Sequence, residues 1–217
     1  MIAHLQRNIG IVGGGDSPDF FHLFPAGFAG SIIGGMQSLK GQLLVATPAL
    51  KDPNFFRTVL MMVQHDENGA LGLVLNRPLE MTLKAAWEEV SETPCFIDDP
   101  LHQGGPCEGP LMVLHTDGDS QMQVADGLHF TTDRDAIEQL VSAGDGRMKF
   151  FVGYAGWTPG QLEREIEEGA WVIRPGDAAE VFSEDQEQWA TLFKARSRPG
   201  GFLQIDPRII PEDPSLN

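Results

Sequence analysis

The chain has 217 residues, is 41% apolar and 21% charged, and carries a formal net charge of −16. That composition fits one globular domain with a sizeable core, while the acidic balance opposes the counterion exchange by which Lys and Arg bind nucleic-acid phosphates. The two cysteines, Cys95 and Cys107, are too few for a disulfide framework and too far apart for a C-x-x-C site, so they read as reduced thiols in a cytoplasmic protein.

Residues 1–35 differ from the rest. Gly13, Gly14, Gly15, Gly27, Gly30, Gly34 and Gly35, with Pro18 and Pro25, exclude a regular helix or a central strand. The uncharged run from Phe20 to Gln37 is interrupted by Pro25 and preceded by Asp16 and Asp19, which argues against a signal peptide or membrane segment. The glycine triplet lacks the G-x-x-x-x-G-K-[ST] spacing of a phosphate loop. The expectation is a disordered or non-native extension, with Met36 as the start of the functional protein.

From there the pattern becomes that of a folded domain. Gln42–Ala46 is a short apolar run stopped by Thr47-Pro48. Thr58–His65 and Ala70–Asn76 flank Asp66-Glu67-Asn68-Gly69, whose Asn-Gly marks a hairpin. Leu83, Ala86, Trp87 and Val90 repeat at helical spacing behind Thr82 as N-cap. Residues 91–109, with Pro94, Pro100, Gly104, Gly105 and Pro106, read as loop. Leu111–His115, Met122–Val124 and Leu128–Thr131 read as strands. A capping-box-like start at Thr132–Asp135 opens a helix on Ile137, Leu140 and Val141, closed by Gly144.

Met148–Tyr154 is the most hydrophobic strand candidate and is placed centrally. Gly153–Glu163 then joins a strand end, an aromatic turn at Trp157 and a helix with Thr158 as N-cap, Pro159 at the first turn and Gln161 as the returning capping-box arm. That helix runs to about Glu168 and ends at Gly169. Ala170–Ile173 and Glu180–Phe182 read as strands. Ser183 and Gln186 read as a capping box for a helix bearing Trp189, Leu192 and Phe193, and Lys194, Arg196 and Arg198 complement its C-terminal dipole. The four prolines from Pro199 onward disfavour a packed helix. The organisation is thus an extension over 1–35, one domain over 36–198 and an irregular tail over 199–217. Hairpins without strict βαβ alternation make the fold class α+β with a mainly antiparallel sheet.

The ordered set Ala46-Thr47-Pro48-Ala49-Leu50, Asp52-Pro53, Phe55, Asn68-Gly69-Ala70, Gly72, Asn76-Arg77-Pro78, Gly104-Gly105-Pro106, Gly153–Trp157, Gly160–Glu163 and Trp171 closely resembles the YqgE/AlgH family of bacterial proteins, over Ser38 to Lys194. The resemblance implies a bifurcated, strongly bent sheet curled into a pseudo-barrel with helices outside. It implies no catalytic set, and the name of one branch carries a regulatory role in exopolysaccharide production.

No catalytic motif assembles from the residues themselves. His65, His102, His115 and His129 sit on separate elements without H-x-x-x-H or H-E-x-x-H spacing, and no G-x-S-x-G elbow occurs. No metal or cofactor is expected. His65 and His115 close strands, where a ring satisfies backbone groups. Trp157 is either a core staple on Leu162 and Trp171, the favoured reading, or an aromatic at a site mouth. The expected function is therefore non-enzymatic: action in the cytoplasm through a protein partner or small ligand, with transcriptional regulation as one form of it, without direct nucleic-acid or membrane binding. Its candidate surface comprises Pro48, Asp52, His65, Asn68, Arg77, Gly104, Gly105 and Trp157. The alternative is an enzyme whose site is built from the loops Thr47–Phe55, His65–Gly69, Gly104–Cys107 and Gly153–Thr158.

Overall fold

A computed structural model describes residues 32–33, 36–118 and 122–195. The expectations for residues 1–31, for Arg196 and Arg198 and for the tail lie outside the described residues. The backbone of β1 (Ile32–Ile33) pairs antiparallel with β2 (Met36–Gln37).

The domain is built on β3 (Gln42–Ala46), β4 (Val59–Asp66), β5 (Gly69–Val74), β6 (Pro78–Thr82), β7 (Pro100–Gln103), β8 (Cys107–His115), β9 (Met122–Ala125), β10 (Leu128–Thr131), β11 (Met148–Trp157) and β12 (Trp171–Pro175). These form one sheet in the order β12-β3-β4-β5-β11-β8-β10-β9, with β6 and β7 on a side branch. Its pairs are antiparallel except for β11 with β7. The helices are α1 (Leu83–Glu88), α2 (Arg134–Ala143), α3 (Gln161–Glu167), α4 (Ala178–Val181) and α5 (Gln188–Lys194).

The central strands carry long apolar runs, Val59–Val63 in β4 and Gly69–Val74 in β5, because both faces are covered. Leu43, Val45, Val59, Met61 and Val63 point into the main core with Phe151, Val181 and Phe193. Their neighbours Leu44, Ala46, Leu60 and Met62 face an outer core with Trp157, Leu162 and Trp171. A third core packs α1 and α2 through Trp87 and Leu140 on Val113, Phe150 and Val152. Alternation at period two thus feeds two cores from each strand, which is why the sequence shows runs rather than stripes.

The sheet curls into a half-barrel. Gly41, just before β3, has a φ of 78°, and a Cβ there would stand 2.6 Å from the Val124 carbonyl oxygen of β9. The far edge therefore returns close to the other side of the sheet, and only glycine permits that approach.

β11 organises the whole. One edge pairs with β8 along Met148–Tyr154. The other edge is shared: β7 takes Phe151 and Val152, and β5 takes Ala155–Trp157. The register with β8 shifts between Val152 and Tyr154, at Gly153 with its φ of 73°. This bulge changes the phase of the strand, so Phe151 faces the main core from one side of it and Tyr154 from the other. The sheet forks at this strand.

Several local expectations are corrected. The region read as loop over 91–109 contains β7 and the start of β8, because its prolines and glycines occupy strand ends and turns rather than replacing strands. Cys107 accordingly lies in β8. The strand β11 runs on through Trp157, and α3 starts at Gln161 with the left-handed Gly160 (φ 72°) as N-cap, not Thr158. Gln161 Oε1 still accepts hydrogen bonds from Thr158 N and Oγ1, both at 3.2 Å. Glu180–Phe182 is not a strand: α4 occupies 178–181, capped by Asp177, whose carboxylate accepts from Glu180 N at 2.8 Å. Ser183 and Gln186 form no capping box, since α5 begins at Gln188 behind Glu187. The Asp66–Gly69 hairpin, the Thr82 cap and the Gly144 helix end are as expected, whereas α2 is capped by Asp133, which accepts from Ala136 N at 2.9 Å, and not by a Thr132–Asp135 box.

Candidate functional site

The eight residues of the candidate surface separate in space and in role. Pro48 is exposed, and exposed Asp52 caps the Pro53–Phe55 turn by accepting from Asn54 N at 2.9 Å. Asn68 is in the exposed hairpin tip, its amide tied to Asp66 Oδ1 at 2.8 Å. Arg77 donates to the Phe56 carbonyl. Gly104 is a backbone joint: it donates to Val152 O at 2.9 Å and accepts from Val74 N at 2.8 Å, and a Cβ there would collide with Gly153 O. Gly105 abuts the Tyr154 backbone in the same way.

His65 and Trp157 are interior groups. The His65 ring accepts from Leu39 N through Nδ1 at 2.9 Å, which leaves Nε2 to donate to Glu163 Oε1 at 2.9 Å. Trp157 is 4% exposed and packs edge-on against Trp171, with ring centroids 6.2 Å apart. Both indoles donate to Glu165 Oε2, at 3.0 Å from Trp157 and 2.8 Å from Trp171. Trp157 is thus held inside the outer core and not displayed at a mouth. The loops around it meet through backbone packing, as where Gly69 abuts Trp157 and Thr158.

A deep concavity among the described residues lies elsewhere, where the sheet forks. Because β5 and β7 divide one edge of β11, the strand's first residues, Met148 to Phe150, have no strand partner on that side among the described residues. A cleft of about 880 Å³ opens there, bounded by 75–78, 96–102, 144–150 and the 182–188 segment between α4 and α5. None of the four loops named from the sequence lines it. Arg147 fastens the last wall: its guanidinium donates to Phe182 O at 3.2 Å and lies 5.0 Å from the centre of the Phe182 ring.

Two side chains give the cleft its chemistry. Lys149, half-buried on β11, makes one hydrogen bond among the described residues, a long 3.4 Å contact from Nζ to Leu75 O, and forms no ion pair with a described carboxylate. Burial, reinforced by the Arg147 charge and opposed by Glu184, lowers its pKa to about 8. His102 on β7 is 8% exposed, and its Nδ1 makes no close hydrogen bond among the described residues. Burial first, and the Lys149 charge second, push this imidazole down to about 4, with the Pro100 and Phe150 carbonyls offsetting part. The rim carries Asp98, Asp99, Glu184 and Asp185, and Phe96 stands beside it 86% exposed. The site therefore has an amine on its floor, a neutral ring in its wall and carboxylates at its mouth.

A second histidine pair also emerges. His115 and His129 are cross-strand partners with ring centroids 5.8 Å apart, and neither His115 nitrogen makes a close hydrogen bond among the described residues. Burial, with the His129 charge, lowers the His115 pKa. Among the described residues no group of three His, Cys, Asp or Glu side chains is arranged to hold a metal ion. No described helix is long and apolar enough to cross a membrane.

Sequence reasoning passed over Lys149 and singled out His102 only as one of several separate histidines. A usable signal existed for Lys149: it is the one charge within Met148–Tyr154, the strand expected to be most deeply buried.

Comparison with known proteins places this geometry in a family. The AlgH-like family model (DUF179) matches residues 43–197. The UPF0301 protein CT0663 of Chlorobaculum tepidum is 38% identical over 185 residues, covering 82% of this chain and 95% of that one. A UPF0301 protein of Xanthomonas campestris is 40% identical over 163 residues, covering 70% of this chain and 86% of its own length. The solution structure of AlgH from Pseudomonas aeruginosa superposes with a TM-score of 0.61 at 35% identity, covering 75% of this chain and 89% of AlgH. The crystal structure of DIP2367 from Corynebacterium diphtheriae shares the fold at a TM-score of 0.60 and 24% identity, with 84% and 95% coverage. The α+β half-barrel, the ordered turn motifs and these matches together make the chain a member of the AlgH-like family.

Proposed function

We propose that this protein is a small-molecule-binding protein of the cytoplasm, and that the cleft at the sheet fork is its binding site. The observation that carries the reading is Lys149, an amine drawn out of bulk solvent with no described carboxylate within ion-pair distance. Leaving such a group unpaired costs stability, and a ligand oxygen would recover that cost. The cleft's volume of about 880 Å³ suits a small organic molecule.

The charge pattern narrows the ligand. The rim's Asp98, Asp99, Glu184 and Asp185 outnumber the cations Lys149 and Arg147. A simple polyanion is disfavoured by that rim. The fitting molecule has hydrogen-bond donors or a positive group at one end and a carboxylate or carbonyl oxygen at the other, the oxygen meeting Nζ. Ligand occupancy would bear on the segment that Arg147 ties to β11, which offers a route to a regulatory, partner-directed role.

A thermal-shift screen of small amino acids, oxo acids and amino sugars tests this, with Lys149→Met as control. Ligands that raise the melting temperature of the natural chain should have at least tenfold weaker effect on the variant. A panel whose stabilising compounds act equally on both proteins would remove the cleft from consideration.

A further inference from the structure

We propose that Lys149 holds its ligand covalently and reversibly, as an imine between Nζ and the carbonyl carbon of a small aldehyde or ketone. This rests on the cleft being the binding site and specifies the ligand class it takes.

The geometry supplies three requirements. First, the amine is fixed: Lys149 pairs with Leu114 of β8, and Phe150 beside it is fully buried, so the stem rises from a rigid strand. Second, Nζ makes one hydrogen bond among the described residues, the 3.4 Å contact with Leu75 O, and no described carboxylate lies within ion-pair distance of it, the Glu184 charge acting only from farther off. Third, the face that His102 presents stays uncharged, because that ring is 8% exposed and close enough to feel the ammonium charge, while Arg147 and Glu184 act on the amine with opposite signs. A desolvated lysine in such a pocket is the form in which an amine acts as a nucleophile.

The chemistry balances without an oxidant or reductant. The Nζ lone pair forms a bond to the carbonyl carbon, and the C=O π bond opens onto oxygen, which takes up a proton as the amine releases one. The C–O bond of that carbinolamine then breaks. Oxygen leaves as water, the second amine proton is released, and C=N closes. Hydrolysis reverses each step. A pKa of about 8 supports this, since roughly a tenth of the amine is then unprotonated at neutral pH.

The test uses the full chain, 3-hydroxybenzaldehyde or pyruvate as probe, and cyanoborohydride to reduce any imine, with peptide mass spectrometry to locate it. Lys149 is expected to be labelled at least tenfold faster than the exposed Lys51 and Lys84, and Lys149→Arg to lose that product while Lys51 labelling is unchanged. Labelling of Lys149 no faster than of Lys51 overturns the proposal. A parallel arm titrates 3-hydroxybenzyl alcohol, which lacks the carbonyl, and follows cleft amides by NMR. Amide shifts without Lys149 trapping overturn the imine and leave the binding site standing; neither shifts nor trapping overturns both.

Discussion

His65 and Glu163, 98 positions apart in sequence, meet at 2.9 Å between Nε2 and Oε1. The contact ties the end of β4 to α3, and through Nδ1 the same ring holds the Leu39 amide at 2.9 Å. The ring is almost wholly inside, so its two bonds replace water that cannot reach it. His65→Ala orphans the buried Leu39 amide and should destabilise the fold by about 1–3 kcal/mol in urea unfolding. Glu163→Gln keeps an acceptor for Nε2 and should cost less. Nitrogen NMR should show the Nε2–H tautomer.

Glu165 is the hub of the outer core, because one carboxylate oxygen receives both indole N–H groups and the other receives Gln161 Nε2 at 3.0 Å. Glu165→Ala leaves two buried donors unmet and should cost about 2–5 kcal/mol, more than a surface carboxylate. Trp157→Ala empties the same core and should cost about 3–5 kcal/mol. Chemical denaturation reads both. The double variant should fall short of the sum, since the two share one interaction.

His102 should make the fold acid-sensitive. Its folded pKa of about 4 lies below the ordinary 6.5, so within that window the unfolded chain binds a proton that the folded chain rejects. Stability contributed by the neutral ring is full above the window and is lost as pH falls through it. The loss attributable to this group is on the order of 2–3 kcal/mol. His102→Gln should lose correspondingly less between pH 7 and pH 4, measured as the difference in urea midpoints. His115, lowered in the same direction, adds to the acid loss in both proteins.

Lys149 should be costly to the fold. Its folded pKa of about 8 lies below the ordinary 10.5, so the unfolded chain binds the extra proton between those values and stability rises with pH across them. Lys149→Met should therefore stabilise the protein at pH 7 by about 1–2 kcal/mol, after allowing for the residue's partial exposure. The gain should shrink as pH approaches 10.5. Stability bound up in an unpaired amine is the signature of a site rather than a scaffold position.

Much of the fold was legible because local chemistry and tertiary packing agree in many places. Asn68-Gly69 demands a hairpin tip, Thr82 caps the helix it precedes, and Gly144 takes the left-handed φ of 64° that ends α2. Where three-residue windows had to decide, they failed: Glu180-Val181-Phe182 is as apolar as a strand, and only the Asp177 cap marks it as helix. The extent of β11 was hidden by the bulge at Gly153, whose glycine also suits a turn. The cleft was not legible at all, since it arises from β5 and β7 sharing one strand edge, a relation between segments far apart in sequence. The turn motifs that stand out in the sequence are largely backbone joints, Gly104 and Gly105 foremost. The group with unmet chemistry, Lys149, looked like an interruption in a strand.

The most direct measurement is a two-dimensional amide NMR titration of the full chain with whichever compounds the thermal screen returns. Shifts should concentrate in residues 96–102, 144–150 and 182–188, and should vanish in Lys149→Met. Shifts gathered instead around 47–55, 65–69 and 104–107, or persisting unchanged in the variant, would contradict the assignment of the cleft as the binding site.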